Sequence, residues 1–147
     1  GRFPLILTER REHLQILAER LRDKIDFLAV LYGGMGRKSQ RKIFEQIKES
    51  ADNTRQAILA TGSYIGEGFD EPRLDTLFLT MPSSFKGKIV QYAGRLHRYH
   101  HAKHDIRIYD YVDSQLPILE RMFKRRTKTY KLLGYEICCS ALSQINV

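Results

Sequence analysis

The sequence predicts an α/β fold in which a parallel sheet is covered by helices on both faces. Short apolar runs alternate along the chain with longer segments of helical periodicity, the order expected for repeated strand–helix–strand units. The runs are almost wholly apolar, as in FLAVLY at 27–32, which is typical of parallel strands buried on both faces. Such units join in right-handed crossovers, and we expect ligands at the carboxyl ends of the strands.

Five strands and four helices are predicted in order along the chain. The strands are expected at 4–7, 27–32, 57–60, 76–80 and 106–113. The helices are expected after Thr8 through Leu21, over 37–49, over 85–98, and from 116 onward with an apolar stripe of Leu116, Leu119, Met122 and Phe123. Thr8 is the predicted N-cap of the first helix, and Gly134 is the predicted end of the last. No repeat or linker divides the chain, so residues 1–147 are expected to form one domain.

Charge and composition limit the class of protein. The chain has 25 Lys and Arg against 17 Asp and Glu, a net charge of +8, which suggests a polyanionic partner; a harmless solubility charge is the alternative. No apolar run approaches the roughly 20 residues of a membrane span, and no signal-peptide pattern opens the chain. Adjacent Cys138 and Cys139 do not make a disulfide framework. We therefore expect a reduced cytoplasmic protein without membrane contact, nucleoid-associated if bacterial.

The segment QYAGRLHR at 91–98 has the strongest functional signal. Four of its residues follow the spacing i, i+3, i+4 and i+7 of one helix face: Gln91, Gly94, Arg95 and Arg98. Two arginines on one face repel each other, and a glycine inside a helix costs about 1 kcal/mol relative to alanine. A surface that tolerates both is suited to an anion that comes close to the backbone, since arginine can bind two phosphate oxygens at once. A solvated basic face is the alternative.

A glycine-containing loop follows the third predicted strand. It runs TGSYIGEGFD over 61–70, and its glycines permit tight turns and close approach of a ligand. Thr61 could donate a hydrogen bond to a phosphate, and Asp70 could accept hydrogen bonds from sugar hydroxyls. A simple turn is the alternative for this loop.

Three other segments have weaker signals. Histidines crowd the end of the helix at 85–98, but no cysteine or paired carboxylate completes a ligand set, so no metal site is predicted. The run of lysines and arginines over 124–131 is expected to be a solvated face, although Tyr130 and Tyr135 nearby would allow nucleic-acid contact. The segment GRKS at 36–39 is not a phosphate-binding P-loop, because an arginine separates its glycine from the Lys-Ser pair.

Two of these segments resemble motifs of superfamily 2 helicases. The pattern Q-x-x-G-R-x-x-R at 91–98 resembles motif VI of that superfamily. Ala60-Thr61, followed by GFD at 68–70 and then Pro72, resembles motif V. The form EGFD at 67–70 is most similar to that of the DNA-repair and restriction-type branch.

The resemblance extends over nearly the whole chain. The turn after the first strand resembles motif IV, with Thr8, Arg10 and His13 at the matching positions. The loop departs from the DEAD-box RNA branch, because Gly62 stands where that branch often has aspartate. The resemblance therefore favours DNA over RNA as the partner.

The resemblance implies the second RecA-like domain of a superfamily 2 DNA helicase of the restriction-enzyme/excision-repair type. That domain is a three-layer sandwich with a mainly parallel sheet flanked by helices. In this family ATP with Mg²⁺ lies between two RecA-like domains, and the first domain holds the Walker A lysine and the metal-binding acidic motif. The second presents arginines to the γ-phosphate, the role implied for Arg95 and Arg98, with Arg98 as the arginine finger.

The other implied site residues divide between nucleotide and nucleic acid. Gln91 would couple the nucleotide to the arginines, while Gly68 and Asp70 would line the nucleotide side of the cleft. The residues implied to face the nucleic-acid backbone are Thr8, Arg10, Thr61 and Gly62. The expected partners are DNA and the N-terminal RecA-like domain of the same protein. Because this sequence lacks that first domain, the chain is expected to be an excised fragment without ATPase activity of its own.

The sequence leaves two other function classes open. One is a non-enzymatic nucleic-acid-binding module, which the charge permits and the missing Walker A favours for this chain taken alone. The other is an α/β enzyme that transfers a nucleotide sugar or a phosphate at 61–70, which would need a catalytic base or nucleophile near Asp70. A Walker A and an acidic motif upstream in the reading frame would separate the helicase from both.

Overall fold

The computed structural model shows nine elements of secondary structure within the residues that it describes, 1–51, 54–62, 64, 70–81 and 86–138. In order they are β1 (Pro4–Thr8), α1 (Arg11–Leu21), β2 (Phe27–Leu31), α2 (Arg37–Glu49), β3 (Gln56–Thr61), β4 (Thr76–Leu79), α3 (Lys86–Leu96), β5 (Arg107–Asp110) and α4 (Pro117–Leu132). No helix within these ranges is long and apolar enough to cross a membrane.

The five strands form one sheet in which every neighbouring pair is parallel. The strand order is β2-β3-β1-β4-β5, so β1 lies between β3 and β4. Leu5 of β1 is opposite Ile58 of β3 on one side and Leu77 of β4 on the other. All six residues of β3 are buried, as its apolar run predicts. The predicted parallel α/β sheet is confirmed.

Side chains of the central strands alternate between two hydrophobic clusters, one on each face of the sheet. On one face, Ile6 and Leu59 cluster with Leu14 of α1. On the other face, Leu5 and Ile58 belong to a larger cluster that includes residues of three helices: Ile47 of α2, Ile89, Tyr92 and Leu96 of α3, and Tyr130 of α4. One helix therefore covers one face and three helices cover the other, which confirms the three-layer sandwich.

Several element ends differ from the predicted ones. β5 ends at Asp110, three residues earlier than predicted, and α3 ends at Leu96. Arg98 consequently lies two residues beyond the helix in which it was expected. Gly134 follows α4 with a positive φ of 85°, as expected for the glycine that ends a helix.

Polar side chains, rather than the predicted apolar stripe, form the buried face of α4. Leu116 precedes the helix and is 49% exposed, and the other three residues of the stripe are only partly buried. The buried residues of α4 are Arg126, Thr129 and Tyr130. Arg126 Nε and the Tyr130 hydroxyl donate to Asp110 Oδ2 at 2.7 and 2.8 Å. The expected solvated face is therefore wrong for Arg126, and the buried Tyr130 does not present its ring to a nucleic acid.

Candidate functional site

Thr8 ends β1 at the carboxyl edge of the sheet, just before α1. The helix begins at Arg11 after an N-cap at Arg10, so the prediction that Thr8 caps it is wrong. The Thr8 hydroxyl is instead 2.8 Å from His13 Nδ1 and accepts a 3.5 Å hydrogen bond from the Arg10 amide. Thr8 is 1% exposed, whereas Arg10 is exposed. Of these two predicted nucleic-acid residues, Arg10 is the one whose side chain meets solvent.

Thr61 and Gly62 lie beside Thr8 at the same edge, as the parallel pairing of β1 and β3 requires. The buried Thr61 hydroxyl accepts a 3.4 Å hydrogen bond from the Gly33 amide. The Gly62 amide donates to the Thr8 carbonyl at 2.9 Å, and the Gly62 carbonyl accepts from the Tyr92 hydroxyl at 2.9 Å. These bonds fix the start of the loop that follows β3.

Gly62 has no room for a side chain. A Cβ at this position would lie 2.7 Å from both Glu9 Oε1 and the Tyr92 hydroxyl oxygen. Glu9 is held in turn by Lys88 of α3, whose ammonium is 3.3 Å from both carboxylate oxygens. Burial, together with the charge of Glu9, raises the pKa of Tyr92 to about 12, so its hydroxyl stays protonated and can donate. An aspartate in place of Gly62 would require these groups to move.

Sequence reasoning missed Glu9, Lys88 and Tyr92, which join the turn after β1 to α3 and to the loop after β3. A signal existed for Tyr92, because Ile89, Tyr92 and Leu96 follow the spacing of a buried helix face, and all three are buried. No spacing pairs Glu9 with Lys88, since the two residues are 79 positions apart.

Of the two arginines in the 91–98 segment, Arg98 pairs with Asp70. Arg98 Nη1 is 2.8 Å from Asp70 Oδ2, and both side chains are 52% exposed. Gln91 and Arg95 lie on α3, where Arg95 is partly buried. Burial, and secondly the charge of Arg98, lower the pKa of Arg95, while the charge of Asp70 acts in the opposite direction. The structure thus brings Arg95, Arg98 and Asp70 together, and their roles stay predictions.

Gly94 leaves the backbone of α3 uncovered by a side chain next to these arginines. It is exposed, and a Cβ there would meet no atom within 4 Å. Packing within the described residues therefore does not require a glycine, although glycine in a helix interior costs about 1 kcal/mol relative to alanine. The absent side chain gives a partner outside the domain close access to the helix backbone.

The Arg98–Asp70 pair lies away from the carboxyl edge of the sheet. α3 follows β4 and returns toward the amino ends of the strands, where Lys103 donates to the Arg98 carbonyl at 2.7 Å. Lys103 also lines a small cavity with Phe3, which precedes β1. Arg98 and Asp70 therefore do not lie at the carboxyl ends of the strands, where ligands were expected. A crossover helix carries its last residues to the opposite edge.

Some predicted features lie outside the described residues. Gly68 is among them, so its place beside Asp70 stays a prediction. Cys138 is an exposed free cysteine, and its neighbour Cys139 is also outside the described ranges. In the part of the chain that the structure describes, no group of three or more His, Cys, Asp or Glu side chains could hold a metal ion.

The sheet order and the three layers define a RecA-like α/β domain. The chain belongs to the family described as the helicase conserved C-terminal domain, whose model matches residues 2–100. This family comprises the C-terminal domains of helicases.

Two solved structures share this fold. The C-terminal part of the Fun30 ATPase domain matches with a TM-score of 0.70 and 15% identity, over 84% of this chain and 39% of that one. The C-terminal domain of the DEAD-box protein Dbp5 matches with a TM-score of 0.66 and 13% identity, over 91% of this chain and 71% of that one. At these identities the likeness concerns the fold alone.

Two viral proteins are similar in sequence. Uncharacterized protein 108L of Invertebrate iridescent virus 3 is 35% identical over 92 residues, which are 61% of this chain and 82% of that protein. Transcript termination protein A18 of Yaba-like disease virus is 32% identical over 94 residues, 64% of this chain. The matched region spans only 19% of the A18 protein.

Proposed function

We propose that the chain is the second motor domain of an ATP-dependent superfamily 2 DNA helicase or translocase of the restriction-enzyme/excision-repair type. ATP with Mg²⁺ would bind between this domain and an N-terminal RecA-like domain of the same protein. The observation that supports the proposal most is the exposed Arg98–Asp70 pair beside the open backbone of Gly94. An arginine in this setting is accessible to a phosphate group of a nucleotide held by another domain.

The exposed guanidinium of Arg98 suits a phosphate, and among the described residues no group of three or more His, Cys, Asp or Glu could hold a metal ion. An exposed ion pair is worth about 0–1 kcal/mol, so a phosphate can replace Asp70 at Arg98 at small cost. Arg98 would then face the γ-phosphate, where phosphoryl transfer develops negative charge on the oxygens. Arg95, Gln91, Gly68 and Asp70 are proposed to line the nucleotide side of the cleft. Mg²⁺ would be held by the N-terminal domain.

The proposed nucleic-acid residues at the carboxyl edge would contribute unequally. The hydroxyls of Thr8 and Thr61 are buried and hydrogen-bonded, so these residues would hold the loops in place. Arg10 is exposed and would contact a backbone phosphate. Gly62 stands where the DEAD-box RNA branch often has aspartate, which supports DNA as the proposed partner, and an aspartate there would require Glu9 and Tyr92 to move.

The test of the nucleotide side is Arg98→Ala in the full-length protein. Because the arginine acts mainly on the transition state, kcat should fall by about 10³ to 10⁵ while ATP binding survives. Single-turnover hydrolysis and nucleotide-binding titrations separate the two effects. Arg125→Ala is the matched control, because it removes an exposed arginine from α4. Near-normal kcat in Arg98→Ala would overturn the assignment of Arg98 as the arginine finger, whereas a full-length wild-type protein without ATPase activity would favour a non-enzymatic nucleic-acid-binding module.

The nucleic-acid side is tested with Arg10→Ala in titrations of labelled single strands. Loss of one phosphate contact should weaken binding about equally for all sequences and reduce the slope of log K against log salt by about 1. Arg20→Ala, at the other end of α1, is the control. An unchanged salt slope in Arg10→Ala would remove this residue from the interface.

A further inference from the structure

Helix α3 alone does not fix the position of Arg98. The helix ends at Leu96, and Arg98 lies two residues beyond it. The Arg98 amide is 3.4 Å from the Arg95 carbonyl, which is long for a hydrogen bond between backbone groups. The pair with Asp70 is exposed and therefore screened by water. An arginine that has to meet a phosphate at a defined place needs a further contact on its backbone.

Lys103 makes a contact of this kind. Its ammonium donates to the Leu96 carbonyl at 2.8 Å and to the Arg98 carbonyl at 2.7 Å. The Leu96 carbonyl is one of the last carbonyls of α3, which have no partner within the helix. Bonds from an ammonium are charge-assisted, and a positive charge is favourable at the carboxyl end of a helix. The two bonds therefore tie the backbone of Arg98 to the end of the helix that precedes it.

A short turn brings the Lys103 side chain back to the end of α3. The Lys103 amide donates to the His100 carbonyl at 3.1 Å, and the Ala102 amide donates to His100 Nδ1 at 3.4 Å. Lys103 follows Arg98 by five residues, so its bond to the Arg98 carbonyl closes a small loop. The entropic cost of closing a loop grows with its length, so this bond orders few residues.

The carboxylates near Lys103 have other partners. Partial burial lowers the pKa of the Lys103 ammonium from its usual value, and the charges of Asp75 and Glu71 act in the opposite direction. Glu71 is paired with Arg73 at 2.9 Å. Asp75 is paired with Arg2 at 3.7 Å. Because both carboxylates are occupied, the ammonium can donate to the two carbonyls at the end of α3.

We propose that Lys103 is a positioning residue for Arg98, an inference that rests on the proposed function of Arg98 as the arginine finger. Lys103 does not touch the nucleotide. It acts through the Arg98 carbonyl, and so sets the distance between the guanidinium and the γ-phosphate. A misplacement of about 1 Å can lower a reaction rate by about 100-fold, so a fixed backbone at Arg98 matters for turnover although the helix ends before it.

The test compares Lys103→Met with Lys103→Arg in the full-length protein. Methionine has a similar length and no donor, so kcat should fall by about 100-fold while ATP binding is unchanged. Arginine keeps the charge and has more than one donor, so Lys103→Arg should restore most of the lost rate. Lys131→Met is the matched control, because it removes another cation from the last turn of a helix and should leave kcat unchanged. In an Arg98→Ala background Lys103→Met should cause no further loss, since the two residues act as a unit.

Hydrogen exchange measured by mass spectrometry gives a second readout, one that does not depend on hydrolysis. Loss of the two bonds should make the amides of 97–99 exchange about ten-fold faster in Lys103→Met, with α4 unchanged. Faster exchange in α4 as well, or a loss of kcat that adds to that of Arg98→Ala, would mean that Lys103 supports the fold in general and would overturn the inference. Unchanged exchange at 97–99 would overturn it too. Near-normal kcat in Arg98→Ala would instead refute the arginine finger alone, because exchange at 97–99 reports on the backbone of Arg98 without hydrolysis.

Discussion

Two arginine–aspartate pairs of nearly equal length lie in opposite surroundings. Arg126 and Asp110 are 2.7 Å apart, and their side chains are 3% and 7% exposed. Arg98 and Asp70 are 2.8 Å apart, and their side chains are both 52% exposed. Since the N–O distances are so similar, the two pairs differ mainly in how far their side chains are exposed to water. Breaking a buried pair leaves an uncompensated charge, whereas an exposed pair is screened and contributes little.

This difference separates a structural arginine from one available to a ligand. The Arg126–Asp110 pair joins α4 to the end of β5, and Asp110 also accepts a hydrogen bond from the Tyr130 hydroxyl, so the pair is closed to a ligand from solvent. Asp70 holds Arg98 in place, and a phosphate can replace Asp70 as the partner of Arg98. The same two residue types therefore stabilise the fold in one place and, in the proposed function, bind a phosphate in the other.

Arg126→Ala gives the largest expected effect. It removes one partner of a buried pair, so the free energy of unfolding should fall by about 3–5 kcal/mol. Urea unfolding followed by circular dichroism measures the loss. The neighbouring exposed Arg125→Ala should stay within about 0.5 kcal/mol of the wild-type chain. Equal losses in the two variants would contradict the contrast between buried and exposed arginines.

Tyr92→Phe should have an intermediate effect on the free energy of unfolding, because it removes a buried hydrogen bond between uncharged groups. Loss of the bond to the Gly62 carbonyl should cost about 0.5–1.5 kcal/mol at neutral pH. Folding raises the Tyr92 pKa to about 12, so this tyrosine's contribution is present below its unfolded pKa of about 10 and is lost as pH rises through 12. The stability difference between wild type and variant should therefore shrink above about pH 10.

Urea unfolding at neutral and alkaline pH measures that difference. Tyr111→Phe is the control, since Tyr111 is 48% exposed. A difference between wild type and Tyr92→Phe that stays constant up to pH 12 would mean that the Tyr92 hydroxyl does not titrate as its burial requires.

Asp70→Ala gives the smallest expected change in stability. Its pair with Arg98 is exposed, so unfolding free energy should change by less than about 1 kcal/mol, and less again in high salt. ATP turnover of the full-length protein should nevertheless weaken if Asp70 lines the nucleotide cleft. Thermal denaturation and steady-state hydrolysis give the two readouts. A large loss of stability with unchanged turnover would make Asp70 only a structural turn residue.

The sheet was predictable from the sequence because a strand that is covered on both faces consists of a continuous run of apolar residues. The apolar runs that became β2 and β3 need no knowledge of their partners, since every residue of β3 is buried and every residue of β2 is buried or partly buried. α4 was less predictable. Its inward face holds Arg126, and an arginine in a basic run is ordinarily solvated unless a carboxylate on another element meets it, as Asp110 does 16 residues earlier.

The candidate site could likewise be predicted only in part from the sequence. The helical spacing of Gln91, Gly94 and Arg95 could be found from the sequence because α3 is regular. The helix end before Arg98 and the pairing with Asp70 could not be found, because they depend on where a loop 28 residues away returns to the domain. Motif spacing identifies the residue types that chemistry needs, and the long-range contacts decide which of them face solvent.

The central place of β1 has a consequence for the order in which the domain is made. Its two neighbours in the sheet, β3 and β4, end at Thr61 and Leu79, long after Thr8 has left the ribosome. At about 5–20 residues per second, β1 waits on the order of several seconds for both partners. Throughout that delay an almost wholly apolar strand has two open hydrogen-bonding edges, each a template for pairing with another chain. The central strand of the finished sheet is thus exposed to pairing with other chains during synthesis.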